Sequence, residues 1–110
     1  MIGKKHTQIN LASGGMDHPF LLAQNEIELE DEESGRKLTI VTDEKALVLY
    51  TGSKIGSGYQ FKEAPARNFL GLCLEVQNVP NSIKYKHLPS SILKKGKLYQ
   101  HETIYKFSTT

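Results

Sequence analysis

The segment of residues 71–80, Gly-Leu-Cys-Leu-Glu-Val-Gln-Asn-Val-Pro, constrains the fold of this chain more than any other stretch. Every second residue in its middle is apolar, namely Leu72, Leu74 and Val76. This period of two predicts a β-strand with one apolar and one polar face. Asn78 and Pro80 are typical of the turn that ends such a strand, because proline cannot donate a ladder hydrogen bond. Glu75 is therefore predicted to be a carboxylate on regular, rigid backbone.

Two interpretations of Glu75 stay open at this point. Its predicted neighbours on the polar face are the small thiol of Cys73 and the amide of Gln77. A rigid backbone, little crowding and a hydrogen-bonding neighbour are what a positioned acid or base requires. Alternatively, Glu75 belongs to a polar face that simply meets water, as most strand glutamates do.

The rest of the chain shows short period-two patterns between turn signals, and no segment has a helical repeat of apolar residues. The sequence therefore predicts an all-β fold. The residues Glu33–Arg36 separate two alternating runs and predict a β-hairpin, with Gly35 at a positive φ. The predicted strands lie at 7–11, at 20–22 (a fully buried strand), at 27–29, at 38–40, at 46–50 and at 98–108.

Two further stretches carry an expectation and an alternative. Residues 56–69 begin with Gly-Ser-Gly and predict a surface loop. The last predicted strand, 98–108, places five side chains on one face, namely Tyr99, His101, Thr103, Tyr105 and Phe107. Such an aromatic stripe is typical of packing in the core or between sheets, and sugar stacking is the alternative.

Length and charge limit the class of protein. A chain of 110 residues suits one domain with a modest core. The net charge is +2, and the basic residues are scattered, which argues against a nucleic-acid partner. The acidic residues cluster around the predicted hairpin, which indicates a solvated tip, since the ordered oxygen spacing of a calcium loop is missing. The cluster consists of Glu26, Glu28, Glu30, Asp31, Glu32 and Glu33.

The single cysteine excludes an internal disulfide framework. No His and Cys residues have the spacing of a zinc site, so no metal is expected. The start of the chain lacks an apolar signal core, and no apolar run is long enough to span a membrane. We therefore expect a soluble cytoplasmic protein with no membrane partner.

A second candidate site lies at Gly14-Gly15-Met16-Asp17-His18-Pro19. The two glycines allow the backbone to pass close to another group, and Pro19 favours an extended His18. Asp17 is then at the mouth of a strand, where a carboxylate can accept hydrogen bonds from ligand hydroxyls. A turn aspartate bonded to its own backbone is the alternative. Two carboxylates on one β scaffold, Asp17 and Glu75, suit carbohydrates, which present many hydroxyl donors.

Seven blocks of this sequence, in order, resemble the C-terminal part of the aldose 1-epimerase (galactose mutarotase) family. Each block alone is weak, but together they cover nearly the whole chain, and Cys-Leu-Glu-x-Gln is the most specific. The blocks are 15–20, 34–38, 49–52, 71–80, 88–93, 96–99 and 103–107.

The resemblance implies a large antiparallel β-sandwich, of which this chain is the C-terminal portion, with residues 1–110 as a single partial domain. It implies interconversion of the α and β anomers of an aldohexose, without a metal or organic cofactor. A base takes the proton of the anomeric hydroxyl while an acid protonates the ring oxygen. By position, Glu75 matches the catalytic base, and Asp17 matches the aspartate that holds sugar hydroxyls.

The sequence also departs from the family pattern. The family's acid is a histidine well upstream of the aspartate block; His6 is too close to that block to match it, and His18 is the ordinary neighbour of the family aspartate. Val48 stands where some relatives carry a sugar-binding glutamine. We therefore expect a fragment that self-associates through exposed sheet edges or needs a companion N-terminal chain. A non-catalytic carbohydrate-binding module and an inactive truncated homologue are the alternatives.

Overall fold

The computed structural model describes residues 14–110, and within this range it contains β-strands and one short 3₁₀-helix. The strands form two three-stranded sheets, in the orders β1-β4-β5 and β2-β3-β6. This confirms the predicted all-β class and the antiparallel sheets from which a β-sandwich is built. The elements are β1 (Asp17–Leu21), β2 (Glu26–Asp31), β3 (Arg36–Thr42), β4 (Ala46–Tyr50), β5 (Cys73–Gln77), the helix (Ser82–Lys84) and β6 (Thr103–Thr109).

The chain divides into two compact units. Among the described residues, the first unit comprises 14–18 and Val48–Glu75, and the second comprises Pro19–Leu47 and Val76–Thr110. The strand predicted at 7–11 lies outside the described residues. That residues 1–110 form a single partial domain stays a prediction.

The sheet β2-β3-β6 belongs to the second unit, and its register brings the apolar residues of three strands onto one face. Ile40 on β3 lies opposite Ile27 on β2 and Tyr105 on β6. Leu38 lies opposite Leu29 and Phe107 in the same way. Ile40 is fully buried and is the centre of this face.

The hairpin between β2 and β3 confirms the prediction made from Glu33–Arg36. Gly35 has a φ of 67°, which L-residues with a side chain rarely adopt. Its N–H donates to the carbonyl oxygen of Asp31 at 2.8 Å, and the Ser34 hydroxyl donates to the Asp31 carboxylate at 2.5 Å. All six clustered acids of β2 and the turn are exposed, so the tip is solvated as expected.

Two expectations about burial are wrong. Residues 20–21 do belong to a strand, but Phe20 is 44% and Leu21 59% exposed, so β1 is not a fully buried strand. The aromatic stripe of the last strand is not packed in a core, since Phe107 is 80% exposed. This strand also begins at Thr103 rather than at Leu98. The physical reason is topological, because β1 and β6 are edge strands and have a neighbouring strand on one side only.

The first unit has little regular structure beyond its parts of β1, β4 and β5. Residues 51–72 contain no strand, only an isolated bridge between Gln60 and Pro65, in agreement with the predicted loop. Gly52, at a φ of 68°, anchors this segment, since its carbonyl oxygen accepts the N–H of Phe69 at 2.9 Å. No helix among residues 14–110 is long and apolar enough to cross a membrane.

Candidate functional site

Glu75 lies in the middle of β5, where the sequence predicted it. Exposure alternates along the start of this strand: Cys73 and Glu75 are exposed, and Leu74 between them is partly buried. The carboxylate is therefore on the open face of a hydrogen-bonded strand, accessible to a small molecule. The same geometry shows that Cys73 lies on the open face with Glu75.

Asp17 begins β1, and its backbone is fixed to the end of β4. The N–H of Met16 donates to the Thr51 hydroxyl at 2.9 Å, and the N–H of Thr51 donates to the Met16 carbonyl at 3.0 Å. The Asp17 N–H donates to Nδ1 of His18 at 2.9 Å. Nδ1 of His18 is the acceptor of this bond. The Asp17 carboxylate, which is exposed, does not take part in it.

Gly15 explains why the chain can reach Asp17 by this route. A Cβ at Gly15 would lie 2.2 Å from Cβ of Ser53, closer than real Cβ contacts occur. The predicted close approach of backbone to another group is thus an approach to Ser53 in the same unit. It holds the start of β1 against the turn that follows β4.

Asp17 and Glu75 lie in the first unit, on the two edge strands of one sheet. The central strand β4 separates β1 from β5. Strands two positions apart in a sheet are roughly 10 Å apart. Val48 is on β4 and is 7% exposed, so it contributes to the core.

A second group of polar side chains, which the sequence analysis did not single out as a group, surrounds Glu44 in the second unit. The Glu44 side chain is 10% exposed, and its Oε1 accepts the Tyr99 hydroxyl at 2.5 Å. Nδ1 of His101 is 3.7 Å from the same oxygen. The bond to Glu44 raises the pKa of Tyr99, because it favours the neutral phenol and a phenolate would face a carboxylate.

The Glu44 side chain borders a cleft of about 500 Å³. All of the lining residues belong to the second unit. They are Asp43, Glu44, Lys45, Asn78, Ser90, Ser91, Ile92, Leu93, Tyr99, Gln100 and His101.

Only some residues of this cleft can be recognised from the sequence. Tyr99 and His101 stand out as members of the aromatic stripe, but Glu44 has no local pattern that marks it. Its partner Tyr99 is 55 residues away along the chain, and only the folded structure brings the two together. Among residues 14–110, no group of three or more His, Cys, Asp or Glu side chains has the arrangement of a metal site.

Comparison with known proteins decides the family. The profile of the family described as "Aldose 1-epimerase" matches residues 3–106, which is nearly the entire chain. The chain belongs to the aldose 1-epimerase family. Its Cys-Leu-Glu-x-Gln strand and its Asp17 block both lie inside the matched range.

Individual relatives agree with this membership. The chain is 33% identical over 110 residues to "Galactose mutarotase" of Sus scrofa, covering 94% of this chain and 32% of that protein. The corresponding protein of Mus musculus is 33% identical over 100 residues, with 86% and 29% covered. That of Homo sapiens is 31% identical, with 94% and 32% covered. The chain thus spans about a third of the length of these curated relatives.

Proposed function

We propose that this chain contributes the base and one sugar-holding carboxylate to an aldose 1-epimerase reaction on an aldohexose. The observation that carries the proposal is the position of Glu75, a strand-held and exposed carboxylate in the most specific block of a family match that covers residues 3–106. The names of the curated relatives, galactose mutarotases, support a sugar substrate.

In the proposed reaction, Glu75 removes the proton from the anomeric hydroxyl, and an acid protonates the ring oxygen. The ring C–O bond breaks to give the open-chain aldehyde, and the C1–C2 bond rotates. On reclosure the hydroxyl formed from the ring oxygen attacks C1 and gives its proton back to the conjugate base of the acid. Glu75 returns its proton to the new anomeric oxygen, so both protons balance. Glu75 is suited to the base role because its backbone is fixed in β5 while its carboxylate faces solvent.

Asp17 has the positioning role in this proposal. Its carboxylate accepts hydrogen bonds from sugar hydroxyls and takes no proton. The reciprocal hydrogen bonds between Met16 and Thr51 hold its backbone in place, so that a ligand bond does not require ordering a loop first.

We also propose that this chain associates with a second copy or with a companion chain. Exposed apolar side chains on the edge strands β1 and β6, Phe20, Leu21 and Phe107 among them, support association with another chain.

Polarimetry with fresh α-D-glucose and α-D-galactose tests the proposal. The native chain is compared with Glu75→Gln, and with Glu32→Gln as a control that removes a charge at the exposed hairpin tip. We expect Glu75→Gln to lower the rate of anomerisation by about 10²–10⁴-fold and Glu32→Gln to leave it unchanged. Equal catalysis by Glu75→Gln and the native chain would overturn the assignment of the base.

If neither native chain nor variant exceeds the buffer rate, sugar binding separates the alternatives. Shifts of β1 and β5 amide resonances with D-galactose, without turnover, indicate a carbohydrate-binding module. Absence of both indicates a homologue without sugar function. Adding the N-terminal part of a relative as a separate polypeptide then tests whether a companion chain restores the reaction.

A further inference from the structure

We propose that the cleft around Glu44 is a binding site for a small neutral polyhydroxylated ligand, built wholly from residues of the second unit. The inference is independent of the proposed function, because neither Asp17 nor Glu75 takes part in it. It starts from the chemistry of the lining, which combines a fixed carboxylate, hydroxyl and amide groups, and an apolar wall.

The acceptor of the cleft is fixed before any ligand arrives. The Glu44 carboxylate is held by the Tyr99 hydroxyl, and its backbone N–H donates to the hydroxyl of Thr42 at 3.2 Å. A carboxylate offers about four acceptor sites, of which Tyr99 occupies one. Glu44 therefore retains capacity for ligand hydroxyls in an orientation that costs little further ordering.

The chain that carries Tyr99 and His101 is tied to the same turn. The N–H of Asp43 donates to the carbonyl oxygen of Glu102 at 3.3 Å, and the N–H of Glu102 donates to Asp43 Oδ1 at 3.0 Å. These reciprocal bonds hold the segment that carries the two rings beside Glu44. The Tyr99 and His101 rings lie 5.4 Å apart between centroids and tilt by 43°.

Another part of the lining is braced by Asn78. Its side-chain amide nitrogen donates to the carbonyl oxygen of Pro89 at 3.0 Å and to the Ser91 hydroxyl at 2.8 Å. Its Oδ1 accepts the N–H of Val79 at 2.8 Å, and the hydroxyls of Ser91 and Ser82 are 2.6 Å apart. This network ties the segment that begins at Pro89 to Asn78 and Ser82, so bonds within the chain hold this part of the lining in place.

The remaining wall is apolar and open. Ile92 is 61% and Leu93 59% exposed, and both line the cleft. A cyclic polyol presents hydroxyls around its rim and C–H groups on its faces, and this combination matches an apolar wall beside hydrogen-bonding groups. The volume of about 500 Å³ is within the range of small-molecule sites.

The charges of the lining favour a neutral ligand. The carboxylates of Asp43 and Glu44 are balanced in part by the ammonium of Lys45, and His101 adds a second basic group. A site for a strongly charged ligand has side chains predominantly of the opposite sign. Mixed signs and many neutral donors and acceptors instead select hydroxyl groups.

The test is an NMR titration of the isotope-labelled chain with myo-inositol, a cyclic polyol that has no anomeric carbon and therefore cannot undergo the reaction proposed for Glu75. The side-chain amides of Asn78 and Gln100 report on the cleft, and that of Gln60 in the first unit is the internal control. We expect saturable shifts at Asn78 and Gln100 and none at Gln60. If myo-inositol does not bind, the proposed role of Glu75 is unaffected. If Glu75→Gln does not alter anomerisation, the proposed binding in the cleft is unaffected.

Two variants sharpen the titration. Glu44→Gln keeps the shape of the side chain and removes its charge, so we expect about tenfold weaker binding, with Glu32→Gln unchanged. Ile92→Ser removes part of the exposed apolar wall, and we expect at least about threefold weaker binding without loss of the fold. If Glu44→Gln disturbs the fold, the affinity of Ile92→Ser for myo-inositol still tests whether the ligand binds in this cleft.

Two results would overturn the proposal. One is the absence of shifts at Asn78 and Gln100 at the highest concentrations of myo-inositol that dissolve. The other is a larger response to tetramethylammonium or acetate than to myo-inositol, which would make the cleft a site for a charged ligand.

Discussion

The two units of this chain are stabilised by different means. The second unit contains a complete three-stranded sheet whose apolar face centres on the fully buried Ile40. The first unit depends on backbone geometry: close approaches at Gly15 and Gly52, and side-chain bonds to backbone such as Lys54 N–H to the Tyr50 hydroxyl at 3.0 Å. Yet the first unit carries both carboxylates proposed to act on a sugar, Asp17 and Glu75.

The two units also differ in the burial of a carboxylate. Glu75 is exposed and lies in one of the sequence blocks, whereas Glu44 is nine-tenths buried and lies in none of them. Strand β5 fixes the backbone of Glu75, and the Tyr99 hydroxyl holds the carboxylate of Glu44.

The largest expected effect is on the core of the second unit. Ile40→Ala removes a fully buried side chain, and we expect the free energy of unfolding to fall by about 2–5 kcal/mol. Ile92→Ala is the matched control, because Ile92 is 61% exposed, and we expect a change within about 0.5 kcal/mol. Chemical denaturation measures both, and equal losses would contradict the view that Ile40 is the centre of this unit.

A glycine substitution is the corresponding test for the first unit. Gly52 has a positive φ, and a Cβ there would lie 2.5 Å from the carbonyl oxygen of Gly71, which cannot move without its backbone. We expect Gly52→Ala to destabilise the chain by about 1–3 kcal/mol.

Gly71→Ala is the control for this change, because the added Cβ meets nothing within 4 Å and its φ is not positive. We expect a change of less than about 1 kcal/mol. Amide hydrogen exchange locates the effect: faster exchange at Phe69, whose N–H donates to the Gly52 carbonyl, is expected in Gly52→Ala. Unchanged exchange there would show that the first unit tolerates the added methyl group.

These contrasts show which structural features can be predicted from a local sequence pattern. The hairpin at Gly35 and the strand around Glu75 were predictable, because turn chemistry and period-two alternation act over a few residues. The exposure of Phe20 and Phe107 was not, since an apolar strand residue at the edge of a sheet has the same local pattern as one at its centre. The bond between Glu44 and Tyr99 joins residues that no local pattern relates.

The titration of Tyr99 tests whether the bond to Glu44 has the strength that its geometry indicates. The pKa of Tyr99 lies above its ordinary value of 10.0, chiefly because its hydroxyl donates to Glu44. The stabilisation is therefore complete below pH 10.0 and is lost as the pH rises through the raised pKa. We expect Glu44→Gln to bring the Tyr99 pKa down toward its ordinary value, measured from the ¹³Cζ shift against pH. An unchanged pKa would mean that the Glu44 carboxylate does not act on the phenol.

The smallest expected effect is at the hairpin turn. The Ser34 hydroxyl lowers the pKa of Asp31, since it donates to the ionised carboxylate. Asp31 therefore stabilises the fold at pH values above its ordinary pKa of 3.8, and this contribution is lost as the pH falls through the lowered pKa. We expect Ser34→Ala to raise the Asp31 pKa and to weaken stability slightly at neutral pH, with little effect once Asp31 is protonated.

NMR titration of the Asp31 carboxyl carbon measures this change, with Glu32, an exposed acid of the same turn, as the reference. A rise at Asp31 alone would show that one side-chain bond sets the pKa there. A parallel rise at Glu32 would show that the whole acidic tip responds, through loss of the turn rather than of the bond. Because the Gly35 N–H still donates to the Asp31 carbonyl in Ser34→Ala, we expect the turn to persist and the first result to hold.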